Sequence, residues 1–255
     1  GGMIKRFHAG RASESGLISA LLAKDGFRGP SDLIGGKYGF CNVYSDHPQI
    51  QLMNQGLGQK YEIMNVGIKP YPCCALVHPI IDALTFLKEE YGLNEKEIEE
   101  IDIGCAENLV DHNAIDQIDS MMAAQYSALF GAALALVGDP KDPNNFNKAS
   151  GERKDIQEIM KRTKLFKDDE MDRAFPAVQG VKVTVKLRNG KAIEKEVTHA
   201  KGRPKNEMTF EEVCDKFKTL TKDSLDTQRT DRIIELIKEL ERVSEISELT
   251  KLLVN

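Results

Sequence analysis

The sequence predicts an α+β fold, and a hairpin flanked by helical patterns carries that prediction. Val181 to Leu187 alternates apolar and polar side chains with the period of a half-buried strand. Asn189-Gly190 then supplies the commonest two-residue hairpin turn, and Ala192 to His199 forms the returning strand. Amphipathic helical patterns occupy both ends of the chain. We therefore expect a helical start, a mixed α/β middle and a helical tail, with the first and last parts packed in one helical layer.

The first predicted element is a helix over Ala12 to Lys24, which carries apolar residues at helical spacing. Ser13 and Ser15 are its candidate caps or first-turn residues. The stretch Gly26 to Pro30 ends the helix, and Gly35 to Gly67 shows no clear period. An irregular connection is therefore expected before the middle of the chain.

The middle of the chain predicts a helix over His78 to Tyr91, with Pro79 in its first turn. The preceding residues, Lys69 to Pro72, are expected to be extended because two of them are prolines. Ile98 to Cys105 predicts a strand, and Met121 to Val137 a single, strongly apolar helix. Charged amphipathic helices are predicted in the tail over Thr209 to Leu220, Thr230 to Val243 and Ile246 to Val254.

Composition restricts the classes of partner. The chain has 255 residues and a net charge of −5, from 35 basic and 40 acidic residues, so electrostatics give no reason to expect nucleic acid or a membrane surface as partner. No apolar run approaches the roughly 20 residues of a membrane helix, and no signal-peptide pattern follows the first residues, so a cytoplasmic location is expected. Five cysteines without a Cys-x-x-Cys pair predict free thiols and no zinc site.

A cluster of basic side chains lies immediately ahead of the first predicted helix, at Lys5, Arg6, His8 and Arg11. Free N–H groups and the positive dipole end of a helix favour anions, so these cations indicate a site for a carboxylate or phosphate. The alternative interpretation is a solvated basic turn, which composition alone favours.

The segment Lys69 to His78 combines two prolines with a histidine at the start of a helix. At that position we expect the pKa of His78 to be lowered, so that its imidazole is neutral and available as a base. A helix-capping or core histidine is an equally good interpretation of the spacing. Cys73 and Cys74 have no base beside them in sequence and are expected to serve packing.

These segments, in order, resemble those of a known family; they are Met3 to Ala12, Gly26 to Pro30, Lys69 to Cys74 with His78, Ala124 to Ser127, and Gly202 to Asn206. The resemblance is to the MmgE/PrpD family, which includes 2-methylcitrate dehydratase, cis-aconitate decarboxylase and iminodisuccinate epimerase. It implies that residues 1–60 and 205–255 are portions of an all-α helical domain, and that residues 61–204 form a smaller, inserted α+β domain. The N-terminal half of such enzymes has no counterpart in these residues.

The resemblance also implies a site in the cleft between the two domains. Lys5 and His78 match residues of that site and are the candidate catalytic groups. Lys5 would stabilise charge on a substrate carboxylate, and His78 would act as general acid or base. The candidate substrate-binding residues are His8, Arg11, Lys69 and Tyr71. No metal and no cofactor are expected, since no nicotinamide, flavin or iron–sulfur motif is present.

The predicted function is that of a lyase or isomerase of a small di- or tricarboxylic acid, with a hydro-lyase like 2-methylcitrate dehydratase as first choice. Activities like those of cis-aconitate decarboxylase or iminodisuccinate epimerase are alternatives. A further alternative is a fragment or split-enzyme subunit that is inactive without a partner chain supplying the N-terminal half. A binding module for polycarboxylates ranks last. A homodimer is expected if no such partner exists.

Overall fold

The computed structural model describes residues 4–254, apart from the side chains of Lys5 and Arg6, and it divides into two compact units. The first unit ends at Val66 and the second begins at Gly67. Residues 205–254 therefore belong to the same unit as residues 67–204. The domain boundaries expected above, with residues 1–60 and 205–255 in one helical domain, stay a prediction.

The first unit begins with helix α1, Ile4–Lys24. The helix starts well before the predicted Ala12 and continues through Gly10, because a single glycine inside a helix costs only about 1 kcal/mol and no proline interrupts residues 4–24. Ser13 is therefore an internal residue, and its hydroxyl donates to the Ala9 carbonyl at 3.1 Å instead of capping the helix. The predicted end is confirmed: Gly26 adopts a φ of +91°.

The rest of the first unit is irregular, as predicted, with three short helical segments. They are helix α2, Phe40–Tyr44, and the 3-10 turns Ile50–Leu52 and Glu62–Asn65. None of these three segments contains a buried residue. The first unit therefore lacks an apolar core of its own in these stretches.

The second unit is built on a four-stranded sheet with the order β2-β1-β3-β4. Its strands are β1 Ile98–Cys105, β2 Thr163–Lys167, β3 Val181–Leu187 and β4 Ala192–Val197. The predicted β1 and the hairpin of β3 and β4 are confirmed, and Gly190 in the turn has a φ of +84°. Strand β2 pairs in parallel with β1. It was not predicted, because its five residues show no alternation of apolar and polar side chains.

Three helices bury one face of this sheet, and they are α3 His78–Tyr91, α6 Ala128–Val137 and α8 Lys154–Arg162. Ile101, Ile103 and Val183 are at most 1% exposed and belong to the same core cluster as Ile81 and Leu84 of α3. The bounds predicted for α3 are confirmed. Packing against this core therefore fixes the position of α3, the helix that begins with His78.

The single helix predicted over Met121 to Val137 is wrong. The structure has two helices, α5 Met121–Tyr126 and α6, separated at Ser127, where the backbone is extended with ψ of 119°. The buried Ser127 hydroxyl donates to the Ile115 carbonyl at 2.6 Å and accepts from the Phe130 amide at 3.0 Å. A serine that caps the second helix in this way offers the backbone an alternative to continuing the first.

The remaining helices connect the sheet and form the tail. They are α4 Glu107–Asn113, α7 Lys148–Gly151, α9 Asp169–Ala174, α10 Phe210–Thr221, α11 Thr227–Lys238 and α12 Ser247–Thr250, with 3-10 turns at Pro143–Asn145 and Leu240–Arg242. The helix predicted over Ile246 to Val254 is therefore shorter than expected. A predominantly helical chain with one small sheet agrees with the predicted α+β class.

Candidate active site around His78

The segment that leads into α3 is held between two neighbouring stretches of chain. On one side the Ile68 amide donates to the Gly202 carbonyl at 2.8 Å. Gly202 has a φ of +83°, and a Cβ there would lie 1.8 Å from the Ile68 carbonyl oxygen, so only glycine permits this approach. On the other side the Cys74 amide donates to the Gln125 carbonyl at 2.8 Å. The sequence predicted an extended conformation for Lys69 to Pro72. The structure instead has bends at residues 70–73, so this prediction is wrong.

His78, the first residue of α3, is 3% exposed, and its Nε2 atom has no hydrogen-bond partner in the described part of the chain. The ring is hydrogen-bonded to the Cys73 backbone, which leaves Nδ1 as the nitrogen that makes this bond. With the proton on Nδ1, Nε2 carries a lone pair. His78 therefore has the arrangement of a neutral histidine that can accept a proton.

The pKa of His78 is lowered to about 4. Burial is the largest cause, because the charged imidazolium loses its hydration, and the positive charges of Lys69, Arg203 and Lys216 lower the pKa further. The hydrogen bond to the Cys73 backbone acts in the opposite direction. The predicted lowering of this pKa is confirmed, and the imidazole is neutral at pH 7.

The cations near His78 come from three separate parts of the chain. The Lys69 ammonium donates to the Cys73 carbonyl at 2.9 Å, which places it beside the histidine. The Arg203 guanidinium donates to the Gln179 side chain at 2.5 Å, and Lys216 lies on α10. Three positive charges therefore act on a neutral imidazole, and such a field favours an anionic ligand.

Tyr71 and Asp82 form a partly buried pair behind His78. The Tyr71 hydroxyl donates to Asp82 Oδ1 at 2.7 Å, and the Lys201 amide donates to Asp82 Oδ2, also at 2.7 Å. The ring of Tyr71 contacts that of His78 edge-on, with centroids 5.2 Å apart. Burial raises the pKa of both Tyr71 and Asp82. Tyr71 thus orients neighbouring groups here, and its predicted role in substrate binding stays a prediction.

Cys73 is not arranged as a nucleophile. Its thiol is 6% exposed, and burial raises the pKa of Cys73 to about 12. The neighbouring Cys74 raises it further, while Lys69 lowers it. The thiol is therefore protonated at neutral pH, in agreement with the predicted packing role.

Two cavities lie beside this site. One, of about 140 Å³, is lined by Tyr71, Lys141, Lys201 and Lys216, among others. The other, of about 220 Å³, is lined by Gln179, His199, Arg203 and Lys205, among others. Basic side chains line both cavities, so each is more suited to an anion than to a cation.

The other predicted site residues lie in the first unit. Lys5 belongs to α1, but its side chain lies outside the described residues. His8 and Arg11 are exposed inside α1, where Arg11 forms an ion pair with Glu14 at 2.6 Å. The expectation that these residues precede a helix is wrong, because the helix begins at Ile4. The backbone N–H groups of His8 and Arg11 lie beyond its first turn and are not the free groups of its N-terminus. Their roles in binding substrate stay predictions.

Asp82, Arg203 and Lys216 were not among the predicted site residues. Arg203 belongs to the segment Gly202 to Asn206 that the resemblance had indicated, so a signal for it existed. Asp82 follows His78 by one helical turn and therefore lies on the same face of α3. Lys216 is one of many charges in an amphipathic helix, and no local pattern distinguishes it.

Within residues 4–254, no group of three or more His, Cys, Asp or Glu side chains is arranged to hold a metal ion. In the same part of the chain, no helix has the length and apolar character needed to cross a bilayer. The fold and site together define an α+β protein with a buried histidine whose pKa is lowered by burial and by nearby cations.

The chain belongs to the MmgE/PrpD family. The family model of the MmgE/PrpD C-terminal domain matches residues 71–242, and that of the MmgE/PrpD N-terminal domain matches residues 2–53. A cis-aconitate decarboxylase of Aspergillus terreus is 26% identical over 93% of this chain and 52% of its own length. A cis-aconitate decarboxylase-like protein, oryM, of Aspergillus oryzae is 24% identical over 91% of this chain and 51% of its own length. The chain thus spans about half the length of the curated relatives it matches.

Proposed function

We propose that this chain contributes His78 to the active site of a lyase, and that the lyase acts on a small di- or tricarboxylic acid. The observation that carries the proposal is the neutral His78, whose unpartnered Nε2 lies in the field of Lys69, Arg203 and Lys216. Family membership and the similarity to cis-aconitate decarboxylases support the same class of reaction.

The chemistry requires a proton to leave or join a carbon beside a carboxylate. Cations near that carboxylate stabilise the negative charge that accumulates on its oxygens. In dehydration or epimerisation the lone pair on Nε2 of His78 takes the proton from carbon, whereas in decarboxylation the protonated imidazole delivers a proton to carbon as the C–C bond breaks and CO2 leaves. Bound carboxylates also offset the cations that lower the pKa of His78, so binding raises this pKa and makes the imidazole a better base. Lys5 is proposed as a further charge-stabilising group, with His8, Arg11, Lys69 and Tyr71 in substrate binding.

The outcome of the reaction is proposed to be decarboxylation, because the curated relatives are cis-aconitate decarboxylases or resemble one. Dehydration of 2-methylcitrate and epimerisation of iminodisuccinate are the alternatives. Both begin with removal of a proton beside a carboxylate, which the neutral His78 can accept, whereas decarboxylation needs a proton delivered to carbon. Incubation with each acid separately, followed by proton NMR, distinguishes the three outcomes by their products.

Variants of two histidines test the role of His78. We expect His78→Gln to lower turnover about 100-fold or more, as loss of a general acid or base does. His112→Gln is the matched control, because His112 is exposed on α4 and its ring is hydrogen-bonded to the Asn108 carbonyl of the same helix. Thermal melting of both variants reports whether they fold. Equal turnover by wild type and a folded His78→Gln would reject the role of His78. Absence of any product with all three acids, also after addition of a candidate N-terminal chain, would reject the proposed activity.

A second candidate function is that of a subunit that needs further helices of the N-terminal domain type. The observation that favours it is the exposure of large apolar side chains in the first unit: Leu17 is 64% exposed, Phe27 72% and Tyr38 84%. An apolar surface of this kind is unusual for a soluble unit that acts alone. We propose that additional helices cover it, from the same polypeptide or from another chain.

Molar mass and activity test this second candidate. Light scattering on the 255-residue chain reports whether it is monomeric, dimeric or aggregated, and turnover is measured before and after addition of a candidate N-terminal chain. We expect added helices to raise turnover and to yield a defined complex. Full activity of a monodisperse 255-residue chain alone would contradict the need for such helices.

A further inference from the structure

Helix α10 forms one wall of the 140 Å³ cavity beside Tyr71. Its start is fixed by a capping box, in which the Thr209 hydroxyl accepts from the Glu212 amide and the Glu212 carboxylate accepts from the Thr209 amide. Glu212 also pairs with the Lys201 ammonium at 2.9 Å, which ties α10 to the loop after β4. The helix is therefore held in a defined position relative to the cavity.

Lys216 lies one helical turn after Glu212, on the same face of α10, and lines this cavity. Its side chain is half-buried and forms no ion pair or hydrogen bond with any described residue. The Glu212 carboxylate, its nearest partner by helical spacing, is already bound to Lys201 and the Thr209 amide. Burial and the charge of Lys69 both lower the pKa of Lys216. A half-buried ammonium without a counter-charge calls for an anion.

Lys218, on the same helix, differs from Lys216 in both exposure and ion pairing. It is 52% exposed at its side chain and pairs with Asp231 of α11 at 3.3 Å. Lys218 therefore has both water and a carboxylate to solvate its charge, whereas Lys216 has only partial access to water.

The charges around the cavity favour a multiply charged anion. Lys141, Lys201 and Lys216 line it together with the carboxylates of Glu212 and Asp215. Lys69 adds a further positive charge, because it is close enough to shift the pKa of Lys216. The four ammonium groups outnumber the two carboxylates, so the net charge around the cavity is positive. One of the carboxylates, Glu212, is already paired with Lys201.

We propose that Lys216 is a substrate-binding residue, and that its ammonium and that of Lys69 hold a carboxylate of the di- or tricarboxylic acid close to His78. This inference rests on the proposed function and assigns to the C-terminal helix α10 a role in recognising the substrate. A single carboxylate bridging Lys69 and Lys216 reduces the repulsion between the two ammonium groups and positions the remainder of the acid towards the His78 imidazole.

Calorimetry with propane-1,2,3-tricarboxylate, an unreactive tricarboxylate, tests the proposal on the full 255-residue chain. We expect Lys216→Gln to weaken binding about tenfold or more, as loss of a charged hydrogen bond does. Lys216→Arg keeps the charge and is expected to retain most of the affinity. Lys218→Gln, the matched control on the same helix, is expected to leave the dissociation constant unchanged. Titration of the lysine 13Cε signals gives a second readout, in which the tricarboxylate raises the pKa of Lys216.

The outcomes separate this inference from the proposed activity. Equal dissociation constants for wild type and Lys216→Gln would overturn the role of Lys216 and leave the activity standing. Absence of tricarboxylate binding by the wild type would also overturn it. Binding that depends on Lys216, without product from any of the three acids even after addition of a candidate N-terminal chain, would support the site and reject the lyase.

Discussion

The phenol of Tyr71 donates a 2.7 Å hydrogen bond to Asp82, and this contact ties the segment ahead of α3 to the helix itself. Asp82 lies one turn after His78, so the same bond holds the Tyr71 ring against the imidazole. Asp82 also accepts from the Lys201 amide and thereby fixes the loop that follows β4. One carboxylate thus joins three separate stretches of chain around the candidate base.

Tyr71→Phe is expected to destabilise the second unit by about 1–3 kcal/mol, because it leaves a partly buried carboxylate oxygen without its donor. The loss of the hydroxyl also raises the pKa of Asp82 further, since the bond from Tyr71 lowers it. Urea unfolding measures the change. Tyr91→Phe is the control, because Tyr91 is 50% exposed, and a shift within about 0.5 kcal/mol is expected there. Equal effects of the two substitutions would show that the Tyr71 bond contributes nothing specific.

The low pKa of His78 predicts a specific dependence of stability on pH. Above pH 6.5 the imidazole is neutral in both the folded and the unfolded chain and contributes nothing. Between pH 6.5 and 4 the unfolded chain binds a proton that the folded chain does not, so stability falls as pH falls, by up to about 3 kcal/mol.

Urea unfolding of wild type and His78→Gln at pH 7 and pH 4.5 measures this contribution. We expect the variant to lose less stability than the wild type between the two pH values, and His112→Gln to behave as the wild type does. An NMR titration should place the pKa of His78 near 4, and propane-1,2,3-tricarboxylate should raise it. A His78 signal that titrates near its ordinary value would contradict the buried, cation-surrounded site.

Two glycines with the same backbone angle are expected to differ in their tolerance of alanine. Gly202 has a φ of +83°, and an added Cβ would lie 1.8 Å from the Ile68 carbonyl oxygen, whereas at Gly190, with φ of +84°, nothing lies within 4 Å. Gly190→Ala should therefore cost only the backbone strain, about 1 kcal/mol.

Gly202→Ala should cost more than Gly190→Ala, because the loop must also move away from Ile68. That movement displaces Arg203, so tricarboxylate binding should weaken as well. Thermal unfolding and calorimetry measure the two effects. Similar melting temperatures for the two variants would show that the approach of the loop to Ile68 is easily relaxed.

Ser127→Ala is expected to destabilise the second unit by about 1–3 kcal/mol, because it removes the α6 cap and leaves the partly buried Ile115 carbonyl without its donor. Ser120→Ala removes only the cap of α5, in which the Ser120 hydroxyl accepts from the Ala123 amide at the surface. Its cost should be closer to about 1 kcal/mol. Urea unfolding compares the two, and a larger loss for Ser120→Ala would contradict the importance of the buried bond.

The sequence by itself determined the elements whose signals are local. The hairpin of β3 and β4 follows from strict alternation and Asn189-Gly190, and α3 and β1 were predicted with their observed bounds. In each case neighbouring residues alone decide the conformation, through side-chain period and turn geometry. The lowered pKa of His78 was also predicted, from its position at the start of a helix, whereas its largest cause, burial, depends on the folded structure.

Tertiary structure decided which cations surround that histidine. Lys69 shares a predicted segment with His78, but Arg203 and Lys216 are distant from it in sequence, and neither has a local pattern that links it to this histidine. Their proximity depends on the approach of Gly202 to Ile68 and on the placement of α10 by Glu212 and Lys201. Tertiary structure likewise decided the break between α5 and α6, because the Ser127 hydroxyl donates a hydrogen bond to the Ile115 carbonyl. The field at a buried group is a sum over neighbours in space, and only the folded chain defines those neighbours.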